Sequence, residues 1–274
     1  MKRLLALSCL LAVFAHTPAL ADDEDDGIDN PHAYHLNGDM DLVSTDKIVY
    51  DKPKIIAKMV YPKLTSENEA DEVENFNDAV KDLLDTELQT FKDKVNELQL
   101  NAPKQKTSSH LNIDFDSSTL NITKTPIFSI RFVIEGYIPR MAHPYQYHQV
   151  LNMSLDDDTT LSLDELFKPN SNYLFWLSNY TTGVLAKKIP ADALLEDGLT
   201  PTPDHFKLWN LEPTGMRFTF DSATVAPSYY GTQSVVVPYA LLQPMLAPDS
   251  VLAECLNHRK SCLKNHLLTG GFLN

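Results

Sequence analysis

The stretch VENFNDAVKDLLDTELQTFKDKVNEL, residues 73–98, decides how the chain can fold. Val73, Phe76, Val80, Leu83, Leu84, Leu88, Phe91, Val95 and Leu98 recur at steps of three and four, which places them in one stripe along an α-helix. Ahead of it, Ser66 with Glu69 three residues later makes a capping box. Five acids between Glu67 and Glu74 sit where the helix dipole favours negative charge. The spacing predicts a long amphipathic helix over about 67–98. Such a stripe must be buried, and the natural cover is a sheet.

The flanking sequence supplies one. Lys54 to Tyr61 reads as a strand stopped by Pro62, and residues 101–110 as a polar connection. Leu111, Ile113 and Phe115 alternate, as do Leu120 and Ile122. Phe128, Ile130, Phe132 and Ile134 alternate with Ser129, Arg131, Val133 and Glu135, the pattern of a strand with one apolar face. Tyr145, Tyr147, Leu151, Met153 and Leu155 repeat it before a turn at Asp156, Asp157 and Asp158. Leu161 to Phe167 and about 171–188 read as helical. Phe206–Leu211, Met216–Phe220 and Ser234–Val237 read as short strands. Strands and helices do not alternate as parallel crossover units, so the predicted class is α+β. Its sheet or sheets are antiparallel, with the long helix and a second one, about 171–188, packed on the sheet.

The two ends set the cellular context. Lys2 and Arg3 precede an apolar run from Leu4 to Phe14, and Ala19-Leu20-Ala21 supplies the small residues of a cleavage site, the three parts of a signal peptide over 1–21. The apolar run is shorter than the roughly 20 residues a membrane span needs. The expected location is therefore periplasmic or secreted, with cleavage after Ala21. Residues 22–45 are acidic and polar and read as a flexible arm. The expected organisation continues with a strand–helix module over 46–105, a larger domain over 106–248 and a C-terminal tail over 249–274.

The chain has 274 residues, 43% of them hydrophobic and 22% charged, enough apolar material for a substantial core. Its formal charge of −14 becomes −16 once Lys2 and Arg3 are removed. That excludes nucleic acid as an expected partner, since phosphate binding needs clustered Lys and Arg. It fits a cationic partner as well as it fits plain colloidal solubility.

Motifs for chemistry are mostly missing. The sequence has no Gly-x-Ser-x-Gly elbow, no His-Glu-x-x-His, no phosphate loop and no dinucleotide fingerprint. His32 and His35 near Asp39 and Asp41 could gather a metal, but histidines in a loose arm more often hold none. The Asp156–Asp158 run lacks the spaced ligands of a calcium loop. Neither a metal nor another cofactor is expected. His143 and His148 lie near tyrosines and could act as acid or base. For His143 the expected role is structural, at the start of the Tyr145–Leu155 strand. Sequence alone shows no catalytic constellation, and the expectation leans away from an enzyme.

Several blocks in order resemble the RsiV-type extracellular domain. They are Met141-Ala142-His143-Pro144, then Val150–Leu155, Leu161–Phe167, Phe206–Leu211 with Gly215–Asp221, Val225–Gly231 and Val237–Leu242. Tyr61-Pro62 and the helix with Asn75 and Asn77 resemble the companion module found before it, so the likeness covers roughly 50–248. The resemblance implies an α+β binding domain. The family includes the outer part of a lysozyme-sensing anti-sigma factor and modules attached to peptidoglycan deacetylases. Its motifs mark His143, Pro144, Tyr145, Tyr229, Tyr230 and Gly231 as binding positions. Met141 stands where the family has glycine. Sigma-binding, membrane-spanning and deacetylase segments are not recognised in the sequence, so signalling and deacetylation are not carried over. The expected function is an exported, non-catalytic envelope module that binds a lysozyme-like cationic protein or a cell-wall fragment. The alternatives are an envelope scaffold or assembly factor and a cell-wall hydrolase using His143.

After signal cleavage Cys255 and Cys262 are the two cysteines left, and an oxidising compartment favours their pairing. On a continuous helix, residues seven apart stand about 10 Å apart along the axis, while a disulfide needs Cα atoms within about 7 Å. The helix must therefore break between them. Unreduced mature protein should weigh two hydrogens less than the dithiol. Two alkylatable thiols in protein isolated from the periplasm would overturn the pairing.

Overall fold

A computed structural model describes residues 33–35, 40–52, 54–66, 71–98, 106–122, 125–155, 159–212, 214–257 and 267–269. The expected signal peptide over 1–21, Glu69, the expected turn at Asp156–Asp158 and Cys262 lie outside the described residues. Strands β1 (Ala33–His35), β2 (Met40–Lys52), β3 (Ile55–Ser66), β4 (Ser109–Ile122), β5 (Thr125–Tyr137), β6 (Tyr145–Ser154) and β7 (Thr159–Thr160) follow one another across a single sheet. Strand β11 (Leu267–Thr269) joins it by pairing with β4. Neighbours are antiparallel except β3 and β4, which run parallel. The crossover between that parallel pair is helix α1 (Asp71–Glu97), since parallel neighbours need a long connection.

Helix α1 is the predicted long helix, though it begins at Asp71, and Ser66, expected to cap it, ends β3 instead. Six of the nine stripe residues are buried, Val73 and Leu83 are partly buried, and Leu98, just past the helix end, is exposed. Phe76, Val80, Leu84, Leu88, Phe91 and Val95 pack on Ala57, Met59, Leu111, Ile113, Phe115 and the even-numbered residues of β5. Burying each such large side chain contributes about 1.5–3 kcal/mol over leaving it in water.

The second layer is smaller. Strands β8 (Trp209–Leu211), β9 (Gly215–Phe220) and β10 (Gln233–Pro238) form an antiparallel sheet in the order β10-β9-β8. Helices α2 (Tyr173–Leu185), α3 (Tyr239–Leu242) and α4 (Val251–Asn257) complete this half. Leu177 and Leu185 of α2 join Phe206, Phe218, Phe220 and Val237 in a second core. The fold class is α+β, as the sequence implied. Among the described residues no helix is long and apolar enough to cross a membrane.

Several expectations are corrected. Residues 40–45, expected in a flexible arm, belong to β2 and pair with β3, with Leu42 buried in the first core. Strand β3 does not stop at Pro62. Leu64, two residues on, turns its backbone away from β2 and bonds the Asn77 side chain, N–H to Oδ1 and Nδ2 to C=O, both 2.9 Å. Pro62 faces the same way, beyond Met59 where pairing with β4 ends, so its missing N–H breaks no ladder. Leu161–Phe167 contains one 3-10 turn, Asp164–Leu166, rather than a helix. Nor does β5 have a single apolar face. Phe128, Ile130, Phe132 and Ile134 meet α1, while Ile127, Ser129 and Val133 are buried on the other side. The expected boundary near residue 105 falls inside the first sheet, because β3 and β4 pair across it.

Two glycines test this packing in opposite directions. A Cβ on Gly215 would lie 2.3 Å from the Val237 carbonyl oxygen, where the backbones of β9 and β10 meet. Gly183, exposed in α2, has open space at that position. Gly215→Ala should destabilise by about 1–3 kcal/mol, as overpacking does. Gly183→Ala should stabilise by about 0.5–1 kcal/mol through helix propensity. Urea denaturation of both variants checks the pair of signs.

Candidate functional site

Among the described residues, three polar seams and a surface cleft gather groups suited to recognition or chemistry, and a smaller hollow of about 200 Å³ lies between β3 and α1 beside Lys63, Asn77 and Asp85. The first seam lies between α1 and the large sheet. Glu87 is three residues after Leu84 and four before Phe91, so the helix carries its carboxylate into the apolar stripe, where it is 7% exposed. Odd-numbered residues of β6 face the same side and satisfy it. The Tyr147 hydroxyl donates to Glu87 Oε2, and Gln149 Nε2 donates to Oε1 at 3.1 Å. Tyr145 stacks on Tyr147 at 6.0 Å, with Lys94 Nζ 5.6 Å from its ring centroid. Burial, then the nearby Glu87 carboxylate, raise the hydroxyl pKa of Tyr145. Tyr147 is pushed up further, by burial first and then by its bond to Glu87.

The other two seams join the sheets. Ser129 Oγ donates to Asn152 Oδ1 at 2.5 Å and accepts from the Leu211 N–H at 2.8 Å, while Asn152 Nδ2 donates to the Trp209 carbonyl at 2.9 Å. Farther along, Arg131 grips Asp116 with Nη2 at 2.5 Å and Nε at 3.1 Å, and reaches Thr219 Oγ1 at 3.3 Å. His148 Nδ1 stands 2.5 Å from Asp221 Oδ1.

The cleft is at the start of α2. A hollow of about 540 Å³ runs along residues 167–175, with the charged Asp164 and Lys168 and Pro201 on its wall, and a second of about 480 Å³ adjoins it. Both are lined by Ser171, Asn172 and Phe175, so Phe175 forms the ridge between them. Phe175 is 63% exposed. Trp176 and Tyr180, one turn apart, stack at 5.1 Å with their planes 13° apart. Tyr173 stacks on Phe167 at 4.2 Å. Asn179, exposed on the same side, donates through Nδ2 to the Phe175 carbonyl at 2.9 Å. Asn172 caps α2 through its backbone alone, in a left-handed conformation at φ 54°.

The expected binding residues occupy two separate places. His143 and Pro144 are exposed in the turn between β5 and β6, with His143 Nδ1 2.9 Å from the Pro144 carbonyl oxygen. Tyr145 belongs to the first core's seam. Tyr229, 77% exposed, packs its ring 4.7 Å from that of Tyr230 in a 3-10 turn of the second layer. Gly231 follows with φ +67°, which suits glycine. Among the described residues, no three His, Cys, Asp or Glu side chains gather as metal ligands. His32 and Asp39 lie outside them.

Neither Glu87 nor the α2 cleft was singled out from the sequence, though both left a signal. For Glu87 it is a carboxylate on the apolar stripe. For the cleft it is Tyr173-Leu174-Phe175-Trp176 ahead of Tyr180, a helix apolar on every side that cannot bury all its rings at once.

The comparisons with known proteins agree with this architecture. Residues 164–240, which carry α2 and the second sheet, match the model of a family described as a protein of unknown function, DUF3298. A curated relative, the peptidoglycan-N-acetylmuramic acid deacetylase PdaC of Bacillus subtilis, is 26% identical over 176 residues. That match takes in 63% of this chain and 36% of the relative, so the chain spans about a third of that enzyme's length. The crystal structure of a DUF3298 family member from Bacteroides fragilis superposes with a TM-score of 0.54 at 17% identity. It covers 78% of this chain and 96% of that one, and so shares the fold.

The α1 seam gives a stability prediction. Tyr147→Phe removes the hydroxyl that satisfies a buried carboxylate and should cost about 1–3 kcal/mol. With the folded pKa raised, the unfolded tyrosine loses its proton near its ordinary 10.0 while the folded one keeps it. The folded state then binds more protons, so the contribution of Tyr147 to stability is level below pH 10 and falls as pH rises above it. The alkaline fall should be shallower in Tyr147→Phe. Denaturation curves across pH 8–11.5 would read both effects, roughly spanning that window.

Proposed function

We propose that this chain is an exported binding module of the bacterial cell envelope, which holds peptidoglycan or a fragment of it without altering it. The observation that carries the reading is the match, through more than half of this chain, to an enzyme named for its action on peptidoglycan. Two features support it. Among the half-buried and buried carboxylates, Glu87, Asp116, Glu212 and Asp221 are each bonded to a side chain of a neighbouring strand, helix or turn, and Asp114 accepts from the Phe115 N–H, so these five serve the fold. Rings and amides, groups suited to holding a saccharide, are instead what the second layer turns to solvent. A specific observation favours a second reading, a cationic protein such as lysozyme as the ligand. It is the net charge of −14, together with the RsiV-type resemblance.

Sedimentation with washed peptidoglycan sacculi tests the first reading. The purified mature chain should pellet with the sacculi and leave their sugar and acetyl content unchanged. Release of acetate or reducing ends would overturn the non-catalytic part, and a chain left wholly in the supernatant would overturn wall binding. Under the lysozyme reading the chain instead binds lysozyme at low salt. That association should then slow as salt rises, because screening shortens the field's reach to about 8 Å at physiological ionic strength.

A further inference from the structure

We infer that the outer face of α2 is a saccharide-binding platform, with Trp176 and Phe175 as the surfaces on which sugar rings stack and the Asn172 and Asn179 amides as their hydrogen-bonding partners. The inference rests on the cell-wall reading above and assigns it a place. Residues 172, 175, 176, 179 and 180 share one side of the helix by their spacing, and all five line the 480 Å³ hollow. The opposite side, with Leu177, Thr181 and Leu185, is the one buried in the second core. Phe175 is the ring this side leaves most open, while Trp176 and Tyr180 are half-buried at the margin of the second core.

The chemistry of the lining selects the ligand. Ser171, Asn172, Phe175, Trp176, Asn179, Tyr180 and Met245 carry no formal charge, although 22% of the chain's residues are charged and its net charge is −14. A neutral floor offers a cationic protein no counter-charge. It does suit a neutral, hydroxyl-rich ligand. Pyranose rings present C–H groups on their faces, and these sit well against the electron-rich faces of aromatic rings. Hydroxyl and acetamido groups around the ring edge need donors and acceptors, which the exposed Asn172 and Asn179 side chains provide. The volume falls within the range of about 300–1,000 Å³ typical of small-ligand sites. The N-acetylated sugars of a glycan strand fit this description.

The chain reports on the site through its own fluorescence, because it has two tryptophans and Trp209, in β8, is buried. Titration of the full mature chain with chitotetraose, a soluble N-acetylglucosamine oligomer, should shift tryptophan emission in a saturable way. Trp176→Phe should lose the emission change but keep weakened binding, read by calorimetry. Phe175→Ala changes an exposed ring and leaves the core intact, and it should weaken binding by about tenfold, the loss of one well-packed contact. Affinity for chitotetraose that is the same in Phe175→Ala, Asn179→Ala and the unmodified chain would overturn the platform. If the unmodified chain pellets with sacculi and these variants pellet equally well, the platform falls while wall binding stands. If the unmodified chain binds neither sacculi nor chitotetraose, both fall. A concentration-dependent dimer abolished by Phe175→Ala would also overturn it, since a second copy would then cover the face.

Discussion

The architecture depends on how the edge of a three-stranded sheet is satisfied. On either side of β8, Leu208 O accepts from Thr219 N and Glu212 N donates to Gly215 O, so the even-numbered residues face β9. Trp209 and Leu211 must therefore point their backbone groups the other way, where no strand follows in the sheet order. Unpaired edges invite association with other chains. Here Ser129 takes the Leu211 N–H and Asn152 supplies the Trp209 carbonyl. Two side chains of one sheet thus act as the missing neighbour of another. Each bond made adds only about 0.5–1.5 kcal/mol, but each buried group left unmade would cost about 1–3 kcal/mol. The penalty, more than the gain, fixes how the layers sit.

The other inter-sheet contacts follow from that docking. With β8 seated over β5 and β6, Arg131 comes within reach of Thr219 while holding Asp116, its cross-strand partner on β4. His148 meets Asp221 at the end of β9. All these side chains come from the face of the large sheet that turns away from α1. That sheet is consequently a middle layer, with α1 on one side and the small sheet and α2 on the other.

This middle position explains what the sequence concealed. Helix α1 was legible because its stripe is nearly all apolar, and β5 was legible on the face that meets α1. Ser129 and Arg131 on the opposite face read as solvent-facing, because an alternating pattern registers polarity and not hydration. A serine bonded to a neighbouring backbone and a serine bonded to water look alike in sequence. Strand β2 was hidden for a related reason, since its acidic flank resembled the arm before it. The motif residues were legible as words but not as a site: His143–Tyr145 and Tyr229–Gly231 belong to different layers, a distance no local pattern encodes. Helix α2 was legible as a helix, while the use of its faces was not, because a segment apolar on all sides gives no direction.

That lack of direction has a physical consequence for how the molecule divides its work. A helix bearing Phe175, Trp176 and Tyr180 beside its buried leucines exposes rings whichever way it turns, and exposed rings favour association between copies. A net charge of −14 opposes it, because every approach of two chains meets like charge. The acidic surface can therefore act as the condition under which a neutral aromatic face stays open in solution, whatever it does for partners. The inner polar groups are spent on joining layers, and the family match over residues 164–240 follows the layer that bears the open face rather than the larger sheet beneath it. The large sheet and α1 hold that layer in place and leave its outer helix face uncovered.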